Sequence, residues 1–216
     1  MRLRLLTSVV LILICFAVAA VQPARAGQIY DNGPVNGNID AWTINFGYAV
    51  SDSFTISGGN TTLTGMSFWA RMFPGDLVTS VEISLTSAPF TGTTYFDQIV
   101  AVTQANCFNN AFGYQVCQET GGFTGPTLGN GTYYVNLQNA TIPDGDPVYW
   151  EENSGVGCQS PGCPSTAYEN AIGTIPSEAF SLFGNVNGST PEPNTALLLG
   201  SGVVGLAGLL RRRPKA

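Results

Sequence analysis

The chain has 216 residues, with 8 Lys and Arg against 14 Asp and Glu and no His, the size of one ordinary domain with appendages and too small for a string of independent modules. Arg2, Arg4, Arg25, Arg211, Arg212, Arg213 and Lys215 lie near the ends, so residues 27–190 hold 13 acidic residues against Arg71, a net of −12. That excludes nucleic acid, whose affinity for proteins comes from clustered cations, and the missing imidazole excludes Ser-His and Cys-His nucleophiles and the helix-borne zinc motif.

Residues 1–26 open with Arg2 and Arg4, run through apolar residues 5–21 and close on Ala24-Arg25-Ala26 before Gly27. A basic start, an apolar middle and a small-residue cleavage pattern predict a helical secretory signal peptide that is removed on export. A lipid-anchored form would need Cys where Gly27 stands.

From 27 to 184 no long 3.6-residue apolar period appears. Residues 41–46, 78–85 and 132–137 instead alternate apolar and polar, the signature of half-buried strands. Further strands are predicted at 53–56, 62–70, 94–103, 147–151 and 179–183. Phe73-Pro74-Gly75-Asp76 has the Pro-Gly order of a type II turn, and it and Pro143-Asp144-Gly145-Asp146-Pro147 are expected to close hairpins. About ten short strands predict an all-β fold, a single antiparallel, jelly-roll-like β-sandwich. Residues 185–190 form a polar spacer.

Four cysteines follow the signal: Cys107, Cys117, Cys158 and Cys163. An even number in an exported chain favours disulfides, with three connectivities open. The most local pairing, Cys107 with Cys117 and Cys158 with Cys163, would contribute about 2 to 3 kcal/mol per bridge and staple loops more than core. Neither spacing is that of a zinc ribbon.

The carboxylates are the titratable resource. Glu151 and Glu152 are adjacent on a predicted strand and face opposite ways, which disfavours their acting together on a glycosidic bond; Glu82 and Asp97 are a conceivable cross-strand pair. Asp144 and Asp146 lie in a turn of the kind that feeds oxygen ligands to Ca²⁺, with solvated turn carboxylates as the plainer expectation; no other cofactor is expected. Trp42, Trp69 and Trp150 could stack on sugar rings or fill the core. Arg71 is expected to pair with a carboxylate or lie on an aromatic ring.

After the spacer comes Pro191-Glu192-Pro193, then apolar residues 196–210 and then Arg211-Arg212-Arg213. Some 15 apolar residues make a helix of about 22 Å, short for a hydrocarbon core of about 30 Å, and the basic cluster should stay cytoplasmic. This order closely resembles the PEP-CTERM sorting signal of exported proteins in Gram-negative bacteria, spanning residues 191–216 with a transmembrane helix at about 195–210. The resemblance implies transient anchoring in the inner membrane and processing near the Pro-Glu-Pro motif by an exosortase-type protease. Delivery to the cell envelope or matrix, in company with exopolysaccharide or biofilm, follows from it. Residues 42–54, 73–83, 133–155 and 173–180 also look like the globular part of PEP-CTERM-tailed proteins, to which no activity is attached. The expected function is therefore a non-catalytic surface or matrix protein, the alternatives being a carbohydrate-binding module that uses exposed aromatics and, less favoured, a glycoside-active enzyme.

Overall fold

The computed structural model describes residues 27–35, 37–38, 40–155, 158 and 160–187. The signal peptide, the sorting motif and the basic tail, with the helices expected there, lie outside the described residues.

The described chain is all β. Its strands are β1 (Gly27–Asp31), β2 (Ala41–Thr43), β3 (Ala49–Ile56), β4 (Thr61–Met72), β5 (Ser80–Ala88), β6 (Thr91–Ala101), β7 (Thr103–Asn109), β8 (Gln115–Gly122), β9 (Thr127–Leu128), β10 (Gly131–Thr141), β11 (Tyr149–Glu151), β12 (Ala167–Glu169), β13 (Gly173–Ile175) and β14 (Phe180–Val186). They form two antiparallel sheets. The eight-stranded sheet follows β1-β14-β4-β11-β2, with β8 and β9 also paired to β4 and β7 to β8. The six-stranded sheet follows β13-β12-β3-β10-β5-β6.

Period-2 patterning explains the core. On β5 the buried Val81, Ile83 and Leu85 alternate with half-buried Ser80, Glu82 and Ser84, so one face of the strand is apolar and turns inward. Those side chains meet Phe54, Val135 and Leu137 of the same sheet, and Leu63, Met66, Phe68, Trp150, Phe180 and Leu182 of the other, in one buried cluster. β4 keeps both Leu63 and Met66 inside because its register with β14 shifts by one residue between Phe183 and Gly184, a bulge that flips which parity faces the core. Gly65 at the flip cannot carry a side chain, since a Cβ there would lie 2.8 Å from the Gly121 carbonyl oxygen.

The two proline turns exist, but neither closes a hairpin. Asp76 N–H bonds the Phe73 carbonyl at 3.2 Å and Gly75 has φ +96°, yet β4 and β5 belong to different sheets. Residues 142–148 likewise carry the chain from β10 to β11 in the opposite sheet. Both turns are crossovers, because successive apolar strands supply opposite walls of one core. The strand expected over 94–103 also divides at Val102, where the chain leaves β6 in one sheet for β7 in the other. The hairpins are β5–β6, β7–β8 and β12–β13. β14 runs to Val186, paired with Thr61, so the first two residues of the expected spacer belong to the sheet.

Cys107–Cys117 and Cys158–Cys163 are the disulfides, a chemistry that belongs to oxidising compartments. The first does more than staple a loop. Cys117 is fully buried in the core cluster, and the bond ties β7 to it.

Trp150 is fully buried, with Phe68 and Phe180 rings at 6.3 and 5.6 Å and its indole N–H on the Ala179 carbonyl at 3.2 Å. Trp150→Ala should lower unfolding stability by about 3 to 5 kcal/mol, measured by urea denaturation; a loss below about 1 kcal/mol would contradict its place in the core.

Candidate functional site

The outer face of the eight-stranded sheet carries a trough of about 320 Å³ lined by Asp31, Gly33, Pro34, Ser67, Trp69, Phe180 and Ser181. Register explains its floor. Asp31 stands opposite Ser181, Ser181 opposite Ser67, Ser67 opposite Thr120 and Thr120 opposite Thr103. Directly opposed residues share a face, so a row of one carboxylate and four hydroxyls crosses five strands. Trp69, two residues beyond Ser67 on β4, joins the same face. Phe108 braces its ring at 6.0 Å, and Gln118, opposite Trp69, donates to Ser67 Oγ at 3.4 Å.

The wall is held from beneath. Between Asp31 and Gly33, the buried Asn32 donates through Nδ2 to Asp52 Oδ2 at 3.2 Å and to the Glu178 carbonyl at 2.6 Å, and its Oδ1 accepts from Tyr30 Oη at 3.0 Å. Asp52, fully buried on β3, also accepts from Glu178 N–H at 2.7 Å and from the Ser165 hydroxyl. Above, Asp31 Oδ1 accepts from Gly33 N–H at 3.0 Å, and Asp31 N–H donates to Ser160 Oγ at 2.7 Å, inside the Cys158–Cys163 loop. A flat apolar ring beside hydroxyls and one aimed carboxylate is a surface for a ligand with one hydrophobic face and a rim of hydroxyls or amines.

Trp69 is the tryptophan that lines this trough. Trp150 is enclosed in the core and offers no ring to a surface ligand, because its indole fills the space between the sheets. Trp42 is half-buried against the core and donates to Glu152 Oε1 at 2.9 Å. Glu151 and Glu152 do take different partners. Glu151 holds Arg71 by two bonds, of 2.5 and 2.9 Å, a carboxylate pairing of the kind expected for that cation. Asp97 stands opposite Ser84, with Glu82 diagonal to it. Burial, then the Glu82 charge, push the Asp97 carboxyl up, while the two Glu82 oxygens accept from the Gln138 and Asn139 side-chain amides at 2.6 and 2.7 Å.

Asp144 and Asp146 gain a third member that was not evident in the sequence. Asp76, from the other crossover turn, brings its carboxylate so that one oxygen from each lies within 4.8 Å of the others. Burial first, then the Asp144 and Asp146 charges, raise the Asp76 carboxyl. Oxygen donors so arranged suit a hard divalent cation such as Ca²⁺. The group shares no residue with the trough.

Several acids missed in the sequence lie inside the fold. Glu119 pairs with Phe68 and faces the core, where neither carboxylate oxygen has a partner; burial pushes its pKa up to about 7. Burial likewise raises Asp52 to about 7, against the bonds from Ser165 and Glu178. Glu178 is bridged to Glu152, both of its side-chain oxygens lack partners, and burial followed by the charges of Asp52, Glu152, Glu151 and Asp40 raises it well above its ordinary value. A carboxyl whose folded value is raised contributes stability below its unfolded value, and that contribution is lost as pH climbs through the folded one. The domain should therefore be more stable at pH 5 than at pH 8. Glu119→Gln should remove about 2.5 kcal/mol of that fall, read from denaturant unfolding at the two pH values; a stability that rises toward pH 8 would refute the assignment.

No protein-family model matches the chain, and no curated protein matches it.

Proposed function

We propose that the chain is a non-catalytic exported module, a jelly-roll-like sandwich delivered to the cell envelope or extracellular matrix of a Gram-negative bacterium, where it binds exopolysaccharide through the Trp69 trough. The tail from Pro191 to Arg213 is the sorting signal in this reading, with an exosortase-type protease as processing partner and the inner membrane as a temporary anchor. The two disulfides suit an exported life, and a domain with 13 acidic residues and one Arg has no use for nucleic acid.

The observation that carries the binding reading is the juxtaposition of the half-buried Trp69 with the Asp31, Ser181 and Ser67 row in one trough. An indole presents a π face to the C–H face of a pyranose, while hydroxyls and a carboxylate meet its rim. Asp31 is the carboxylate among the lining residues, so the geometry favours binding over hydrolysis by a carboxylate pair. No resident cofactor takes part; a Ca²⁺ held by Asp76, Asp144 and Asp146 would brace the two crossover turns.

Trp69→Ala should weaken binding to the cognate polysaccharide by about tenfold or more while leaving thermal unfolding within a few degrees of the parent. Retained affinity in that variant would count against the trough, and failure of the parent to bind any polysaccharide would sink the reading. Separately, removing residues 191–216 should abolish delivery to the cell surface, followed by fractionation; unchanged surface display would eliminate the sorting role.

A further inference from the structure

The trough geometry points to a narrower ligand, and we propose that it selects amino sugars with free ammonium groups, taken as consecutive units of a polymer. This rests on the binding reading above. Asp31 is the charged residue of the lining, and its Oδ1 is occupied by Gly33 N–H, which aims the carboxylate and leaves Oδ2 to a ligand. Arg71, the one cation in residues 27–190, is engaged by Glu151 in a two-bond pair, so it does not turn to a ligand carboxylate. A uronic acid entering the trough would meet Asp31 and a formal domain charge of −12, with no cation in the lining to pair it. A neutral sugar would stack on Trp69 and could donate a hydroxyl to Asp31, but it would bring no positive charge to the acidic field. An ammonium gains a charge-assisted hydrogen bond at Asp31 and is favoured by the surrounding field.

The spacing sets a minimum length. Asp31 and Ser67 lie on strands β1 and β4 with β14 between them, two strand spacings or about 10 Å apart, and Trp69 lies farther along β4. One ring cannot both stack on Trp69 and place an amine on Asp31. A run of at least two linked sugars can, with Ser67 and Ser181 meeting the hydroxyls between them.

The test measures binding of the signal-free protein to four oligosaccharides of equal length: β-1,4-linked glucosamine, its fully N-acetylated counterpart, a neutral glucan and a galacturonan. The glucosamine oligomer should bind about tenfold tighter than the N-acetylated one, with the galacturonan weakest. Asp31→Asn keeps an oxygen for Gly33 N–H, and it should erase the preference for the free amine while preserving Trp69-dependent binding to the neutral oligomers. Asp97→Asn removes one charge on the other sheet and should leave the preference intact. Equal losses in these two variants would mean attraction by the general field and would overturn the inference, as would parent protein that binds glucan or galacturonan as tightly as glucosamine oligomer; in either case polysaccharide binding itself stands. Absence of binding to all four overturns the inference together with the reading beneath it.

Discussion

Asn32 is the hinge on which the trough depends. Its side-chain amide spans both sheets, giving hydrogens to Asp52 on β3 and to the Glu178 carbonyl beside β14, while the Asn32 backbone carbonyl receives Asn153 Nδ2 at 2.7 Å. Beyond Asp31 the ladder ends with Asn32 N–H on the Phe180 carbonyl at 2.9 Å and the backbone is next held by the Val35–Asn153 bridge, so these side-chain bonds fix the stretch between them. Because Asp31, Gly33 and Pro34 flank Asn32 in sequence, anchoring one buried amide places three lining residues at once. A buried amide with any of these partners missing would leave an unsatisfied polar group, which costs about 1 to 3 kcal/mol. The network therefore specifies one conformation of the wall more strongly than apolar contact could.

The same network shows how a domain with a single Arg carries so many interior acids. They are accommodated by three physical routes. Glu151 takes the guanidinium of Arg71, Asp52 receives three hydrogen bonds, and Glu119 and Glu178, with no partners for their oxygens, are driven toward the neutral acid. Ion pairing can serve one site when there is one cation. Protonation serves Glu119 and Glu178, and it ties the interior to acidic and neutral conditions more than to alkaline ones.

The strands of the core were legible because alternation is local: Val81, Ile83 and Leu85 announce β5 within a few residues. Connectivity was not. A proline turn between two alternating runs reads the same whether the second run pairs with the first or lies across the core from it, and only the global closure of two sheets decides that residues 73–76 and 142–148 cross over. β1, β7 and β8 were missed for a related reason. β1 buries Tyr30 and little else, β7 is exposed along most of its length, and β8 puts Glu119 where a pattern reader expects an apolar residue. Among site residues, the aromatic signal identified Trp69 with two others and could not rank them, since burial of Trp150 is a property of its neighbours Phe68 and Phe180. Asp31, Ser67 and Ser181 carry no motif at all; they become a site through a register that joins residues more than a hundred positions apart.

That register also fixes the orientation of anything the trough would hold. Gly27 pairs with Gly184 and Val186 with Thr61, so the first and last described strands begin and end at one end of the eight-stranded sheet. The Asp31, Ser181, Ser67, Thr120 and Thr103 row runs across the strands, at right angles to them. A polymer following the row would lie broadside to β14. Neighbouring copies could then engage one strand, and avidity from several weak trough contacts would raise the effective affinity well above that of a single domain.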